Sequence, residues 1–392
     1  MGGFENHLPG SWAEDEQIGD LPTPALVLDL DVLERNLKRM ALRMRKLKVA
    51  MRPHFKTHKS LGVARIQREL QCIGFTASTL GEVRTLAEAG FHDVLWAFPV
   101  ILNRIPELVT LAGDQPDLDL QLVVDSPDAV TALETEWAPR VSDPAVWLKV
   151  DCGYHRAGVD PTSDRAIELV RRLRDSPALD FAGILSHSGH AYAHGRDAIR
   201  AAAEEERRTM VTFARKLRDL DLDVPRVSIG STPAMAVADD LGGITEVRPG
   251  NYVFYDYSQV SIGSCTVADC ALTVLASVVS CQPGASHCVI DAGALSLSKD
   301  PGPPWIDPPT FGEVFGDYGA GELAPDVRVS SLSQEHGIVN APLPVGTRLR
   351  ILPNHACLTV PNFERYAIVR GQRVVDVGAV SHRPHGPYVS DR

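Results

Sequence analysis

The sequence predicts an α/β chain, a (β/α)₈ TIM-type barrel followed by a mainly β domain. Three observations predict it. Eight short apolar or β-branched runs alternate with helix-like stretches between Val49 and Arg248, the pattern of a closed parallel barrel. After about Tyr257 the helical periodicity stops, and runs such as Cys270–Val279, Cys288–Ile290 and Arg348–Leu352 are separated by Gly, Pro and polar turns, which reads as strands and hairpins. At 392 residues the chain has room for two domains.

The elements follow in order. Residues 1–22 form a polar, acidic leader. Thr23–Asp29 reads as a strand assignable to either domain, and Leu33, Leu37, Met40, Met44 and Leu47 recur at the three-to-four-residue spacing of a helix. The eight barrel strands are expected at Val49–Phe55, Cys72–Ala77, Val94–Phe98, Leu120–Val124, Val146–Val150, Phe181–Leu185, Arg226–Ile229 and Thr245–Arg248. Helices are expected at Gly81–Ala89, Asp128–Trp137, Ala166–Arg174 and Ala198–Leu220. This gives a barrel over 23–257 and a β domain over 258–392. The rival arrangement is a doubly wound open sheet. Lys299–Asp326, rich in Pro and Gly and carrying Trp305, Phe311, Phe315 and Tyr318, is expected to be a long ordered loop.

Composition excludes some function classes. A hydrophobic content of 44% suffices for a core, and a net charge of −11 argues against a nucleic-acid partner. The leader lacks the apolar centre of a signal peptide, and no apolar run is long enough to span a bilayer. The seven cysteines show no disulfide-type spacing. The expectation is a cytoplasmic protein acting on a small molecule, with no membrane partner.

A barrel places its chemistry just after strand ends, and the unusual residues of this chain stand there. Lys56 follows the first strand, between His54, His58 and Lys59. Close cations and partial burial favour the neutral amine that covalent attachment to an aldehyde requires. Asp151–Gly158 follows the fifth strand and Ser186–Tyr192 the sixth. Gly230, Ser231 and Thr232 follow the seventh, and Gly250 and Asn251 the eighth. Small residues after the last two strands of a barrel form phosphate sites, although each turn alone reads equally as a tight turn. A phosphorylated aldehyde held opposite Lys56 is pyridoxal 5′-phosphate (PLP). In the β domain, His355 and Cys357 alternate as on an extended strand, which would point both side chains to one face. Imidazole with thiolate suits zinc. Ser333–Gly337 is a polar cluster that reads as a solvated hairpin.

Taken together, RPHFKTHK, VDCGYHRAG, SHSGHAY, GSTP, RPGNY and PNHACLT resemble the fold-type III, alanine-racemase-like PLP enzymes, in the branch holding eukaryotic-type D-serine dehydratase and D-threonine aldolase. The resemblance runs from Thr23 into the β domain. It implies that Lys56 carries the cofactor and acts as base at the substrate Cα. Tyr192 would contact the pyridine nitrogen, and Arg156 would lie near the ring. Ser231, Thr232, Gly250 and Asn251 would bind the phosphate. His355 and Cys357 would hold a divalent metal, zinc before manganese or magnesium. It also implies a homodimer with sites near the subunit interface. The dehydratases resemble His-x-Cys here and the aldolases more usually His-x-Asp, so the sequence leans to dehydration of a D-3-hydroxyamino acid, D-serine first. The alternatives are D-threo-3-hydroxyaspartate dehydration, D-threonine aldol cleavage to glycine and acetaldehyde, a racemase, which would not need the metal pair, and a PLP-buffering protein, which would not need the β domain.

Overall fold

A computed structural model describes residues 16–137 and 143–381. By its internal contacts the chain divides into two units: one from 40–56 and 67–250, the other from the described parts of 1–39, 57–66 and 251–392. This division differs from a boundary at 257/258. The first strand, β1 (Ala25–Asp29), pairs antiparallel with Leu272–Ser280 and parallel with Arg365–Arg370, so it belongs to the sheet of the β unit. Of the leader, 1–15 lies outside the described residues. Its last part is not merely polar: Ile18 and Leu21 are buried with Val27, Leu275, Val369 and Val374. The helix α1 (Leu30–Lys46) follows β1, and Leu33, Leu37, Met40 and Met44 of its apolar stripe are buried, each contributing about 1.5–3 kcal/mol.

The first unit is the (β/α)₈ barrel. Its strands are β2 (Ala50–Met51), β3 (Phe75–Ala77), β4 (Asp93–Pro99), β5 (Asp119–Val124), β6 (Ala145–Lys149), β7 (Asp180–Leu185), β8 (Val227–Ile229) and β9 (Glu246–Val247). They pair in parallel in the order β2-β9-β8-β7-β6-β5-β4-β3. The ring closes between the first and last through the parallel bridge His54–Thr76 and the bonds Ile73 N–H to Met51 O and Thr76 N–H to Pro53 O. That closure decides against the open doubly wound sheet. The helices α2 (Leu61–Glu69), α3 (Leu80–Glu88), α4 (Ile105–Asp114), α5 (Pro127–Glu136), α6 (Asp164–Asp175) and α7 (Arg196–Arg218) alternate with the strands, and α3, α5, α6 and α7 fall where the periodicity predicts them. Ser163, Ser126 and Thr79 each cap a helix N-terminus through a side-chain oxygen.

The barrel interior is not purely apolar. Leu95, Val123, Trp147, Ala182 and Leu185 pack together, but a polar chain crosses the strands beside them. Trp147 Nε1 donates to Gln121 Oε1 (2.8 Å), and Gln121 Nε2 donates to Asp93 Oδ1 (2.8 Å). Arg52, fully buried, joins Asp93 to Glu246, and Ser228 Oγ donates to Glu246 Oε1 (2.8 Å). Removing Arg52 would leave Asp93 and Glu246 without their buried counter-charge. Arg52→Ala is therefore expected to lower unfolding stability by about 3–5 kcal/mol, read as a shifted urea midpoint at unchanged slope.

The β unit holds the remaining strands: β10 (Leu272–Ser280), β11 (Cys288–Ile290), β12 (Gly312–Asp317), β13 (Glu322–Leu332), β14 (Gly337–Val339), β15 (Arg348–Pro353), β16 (Arg365–Arg370) and β17 (Arg373–Ala379). Six of them, β10-β11-β14-β13-β12-β15, close back onto β10 as an antiparallel ring. From β10 the sheet continues through β1, β16 and β17. One expectation changes, and the solvated hairpin at Ser333–Gly337 is found as expected. The stretch 299–326 is a loop only to residue 311, because β12 and the start of β13 occupy the rest. Ser333–His336 is the exposed tip of the β13–β14 hairpin. No helix among the described residues is long and apolar enough to cross a membrane.

Candidate active site

In the barrel unit the expected residues stand after strand ends, with one correction. The first barrel strand, β2, stops at Met51 rather than Phe55, so Lys56 lies five residues past its end, in the single 3₁₀ turn Phe55–Thr57. Pro53 cannot extend the ladder, while His54 is held by donating its N–H to Pro249 O (3.0 Å). The Lys56 N–H points back to His54 Nδ1 at 3.4 Å. Gly230, at φ +103°, passes from β8 into a short helix (Thr232–Val237) for which Ser231 is the N-terminal flanking residue. Ser231 is buried, makes no capping bond, and its Oγ has no hydrogen-bond partner. Gly250 lies in the turn after β9. Tyr192 and Arg156 are exposed, and the Arg156 guanidinium lies 5.1 Å from the Tyr154 ring centroid.

These groups share one electrostatic neighbourhood. Burial, then the charges of Lys56, Arg156, Lys149 and Arg248, push the His187 imidazole well below its ordinary value. Four cations around one neutral ring favour an anionic ligand, and the orphaned Ser231 hydroxyl at a helix start is a donor in want of an acceptor. A phosphorylated pyridine aldehyde fits such residues. Sequence reasoning missed the groups that hold them. Glu206, buried on α7, accepts from Ser186 Oγ (2.8 Å), Ser188 Oγ (2.6 Å) and Gly230 N–H (3.3 Å), tying two motif loops together. Arg248 donates to Ser228 Oγ and to the Ser186 carbonyl. The helical period of α7 marks Glu206 as inward-facing alongside Ile199, Ala203, Met210 and Phe213, and that was the available signal.

In the β unit the His-x-Cys pair departs from expectation. Pro353 ends β15, and His355 and Cys357 are not on a strand. His355 is the N-cap of the short helix Ala356–Thr359, and Cys357 lies in its first turn. The turn still brings the imidazole and thiol within hydrogen-bonding reach of each other. His355 Nδ1 is 2.9 Å from Asp300 Oδ2. Cys357 Sγ is 3.3 Å from Thr57 Oγ1 and 3.9 Å from Asn251 Nδ2. Asn251 Nδ2 also donates to Asp256 Oδ2 (2.6 Å), which accepts the Ala356 N–H (2.9 Å), so Asp256 fixes both the turn after β9 and the start of the His-x-Cys helix. Burial lowers the His355 imidazole, but the hydrogen bond to Asp300 and the Cys357 thiolate outweigh it and raise the group to about 11. Imidazole and thiol placed this close together suit a cation bound by N and S donors. Among the described residues no group of three or more His, Cys, Asp or Glu is arranged for a metal, so the pair would leave positions for water and substrate.

The chain is similar to known proteins over nearly its whole length. Residues 28–258 match the family described as alanine racemase, N-terminal domain, and residues 271–369 match a putative serine dehydratase domain. The D-threo-3-hydroxyaspartate dehydratase of Delftia sp. (strain HT23) is 37% identical over 365 residues, covering 88% of this chain and 93% of that protein. The D-serine dehydratase of Dictyostelium discoideum is 32% identical over 387 residues, covering 92% and 96%. The solved structure of the Delftia sp. HT23 protein superposes with a TM-score of 0.88 at 36% identity, covering 95% of this chain and 100% of that chain. A cysteine-to-alanine mutant of D-threo-3-hydroxyaspartate dehydratase has been solved in a metal-free form. The chain belongs to the alanine-racemase-like, fold-type III enzymes, in the branch of the D-serine dehydratases and D-threonine aldolases.

Proposed function

We propose that the protein is a PLP- and divalent-metal-dependent dehydratase of a D-3-hydroxyamino acid, converting D-serine to pyruvate and ammonia. The observation that carries it is the His355–Cys357 pair with its ring fixed by Asp300. A thiolate–imidazole pair selects zinc, whereas a carboxylate in place of Cys357 would favour harder ions such as manganese.

Bound PLP supplies an electron sink for charge developing at Cα, and zinc supplies a Lewis acid for the β-hydroxyl. The side chains do the rest. Lys56 Nζ would hold the cofactor aldehyde and would be the base for the substrate Cα proton. Gly230, Ser231, Thr232, Gly250 and Asn251 would hold the phosphate through N–H groups and hydroxyls. Arg156 would lie near the ring, and Tyr192 would contact its nitrogen. His355 and Cys357 would hold the metal that assists the leaving hydroxyl. Loss of water and its return as the amine departs balance to one keto acid and one ammonia. As in the resemblance, a homodimer completes the reading, to be checked by light scattering.

A second substrate, D-threo-3-hydroxyaspartate, is favoured by the 37% identical relative of that activity. The deciding experiment offers D-serine, D-threo-3-hydroxyaspartate and D-threonine separately to the protein loaded with PLP and zinc. Keto acid and ammonia in equal amounts, without glycine, are expected. Glycine and acetaldehyde from D-threonine without keto acid would mean aldol cleavage. Bound PLP with no turnover of any substrate would mean cofactor buffering.

A further inference from the structure

We infer that Asp300 is the positioning residue for His355, and that the Pro/Gly-rich segment 299–311 serves to hold it there. The inference rests on the metal reading above and extends it to a residue outside the His-x-Cys motif.

An ionised carboxylate only accepts hydrogen bonds. With Asp300 Oδ2 at 2.9 Å from His355 Nδ1, Nδ1 carries a proton, and Nε2 is the nitrogen left for a metal to take in exchange for its own proton. The contact therefore selects the tautomer that can bind a metal through Nε2, and it makes that nitrogen a better donor. The carboxylate is itself fixed. Its other oxygen, Oδ1, accepts the Gly302 N–H at 2.9 Å. The Asp300 backbone carbonyl accepts from Asn354 Nδ2 (2.9 Å), and the same amide donates to Thr310 O (2.5 Å). The residue preceding His355 thus ties both ends of the segment to the strand end that carries the ligand. Gly302 has φ +75°, and a Cβ there would stand 3.1 Å from Ile306 Cδ1 and 3.3 Å from Asn354 Nδ2, so the tight return after Asp300 requires glycine. Pro301, Pro303 and Pro304 stiffen the same return. This gives the composition of the segment a purpose: a rigid bracket that presents one carboxylate oxygen to one ring nitrogen.

The test uses the PLP-loaded protein stripped of metal and titrated with zinc against a competing chelator, and with cobalt(II) for its thiolate charge-transfer band. Asp300→Asn is expected to weaken zinc binding about 10- to 100-fold and to shift the cobalt band. Asp300→Glu should recover most of the affinity. The metal-free variants should melt close to the parent. Zinc binding by Asp300→Asn as tight as the parent's overturns the Asp300 role alone. So does equal loss in both variants together with lowered melting of the metal-free proteins, which marks a structural role only. A parent that takes up no zinc, or a His355→Ala variant that binds it as the parent does, overturns the metal reading and this inference together.

Discussion

Lys56→Ala is expected to reduce keto acid formation by about 10⁴-fold or more, because it removes the covalent anchor and the Cα base at once. Lys56→Arg should be no better, since a guanidinium stays protonated and cannot bond to the aldehyde. The structure supplies a competitor that makes the prediction sharp. Lys149, at the end of β6, is buried, and its ammonium is pushed down to about 8 by that burial and by Arg248 and Arg156. A lysine of that kind keeps more neutral amine near neutral pH than an ordinary one, which is what nucleophilic chemistry needs. Both lysines bear on His187, so activity loss alone does not separate them. Borohydride reduction of the PLP-loaded protein followed by peptide mass spectrometry does. The cofactor mass should be found on the peptide containing Lys56, and the peptide containing Lys149 should be unmodified. The reverse result would move the anchor to Lys149 and leave Lys56 as a charge near the ring.

The barrel was legible because its strands are buried on both faces and its helices on one, so period and run length both report it. Strand ends were less legible. The run Val49–Phe55 reads as one strand, yet Pro53 stops the ladder and only Ala50–Met51 pairs with β9. The placement of β1 was ambiguous for a different reason: an apolar pentapeptide carries no mark of which sheet will accept it, and its partners lie about 250 and 340 residues away. Ile18 and Leu21 were hidden by the polar residues around them.

For the candidate site, the sequence showed residue types whose chemistry is unusual and whose neighbours in the chain are also unusual. It did not show their supports. Asp300 reaches His355 across 55 positions, and Glu206 reaches Ser186 across 20. Such contacts depend on tertiary folding and leave no local period. The alternation of His355 and Cys357 suggested a shared strand face. The structure reaches the same convergence by a helix start, because Pro353 and Asn354 end the strand and Asp256 accepts the first free N–H of the new turn.

Cys357→Ala is expected to separate the two halves of the chemistry. Lewis-acid assistance to a leaving hydroxyl is worth several kcal/mol, and each 1.4 kcal/mol is a factor of ten in rate, so keto acid formation should fall about 10²- to 10⁴-fold. Proton removal at Cα depends on Lys56 and the bound cofactor, not on the thiol. Exchange of the D-serine Cα hydrogen with deuterated water should therefore continue in Cys357→Ala, read by NMR, while pyruvate does not accumulate. Cys357→Asp extends the argument. It restores an anionic ligand but exchanges sulfur for oxygen, so activity should return with manganese more than with zinc. The Thr57 hydroxyl, 3.3 Å from the thiol, remains to accompany either ligand. Full pyruvate formation by Cys357→Ala would remove the metal from hydroxyl departure. Loss of deuterium exchange along with pyruvate would instead place the thiol in cofactor or substrate binding, where zinc addition could not restore either rate.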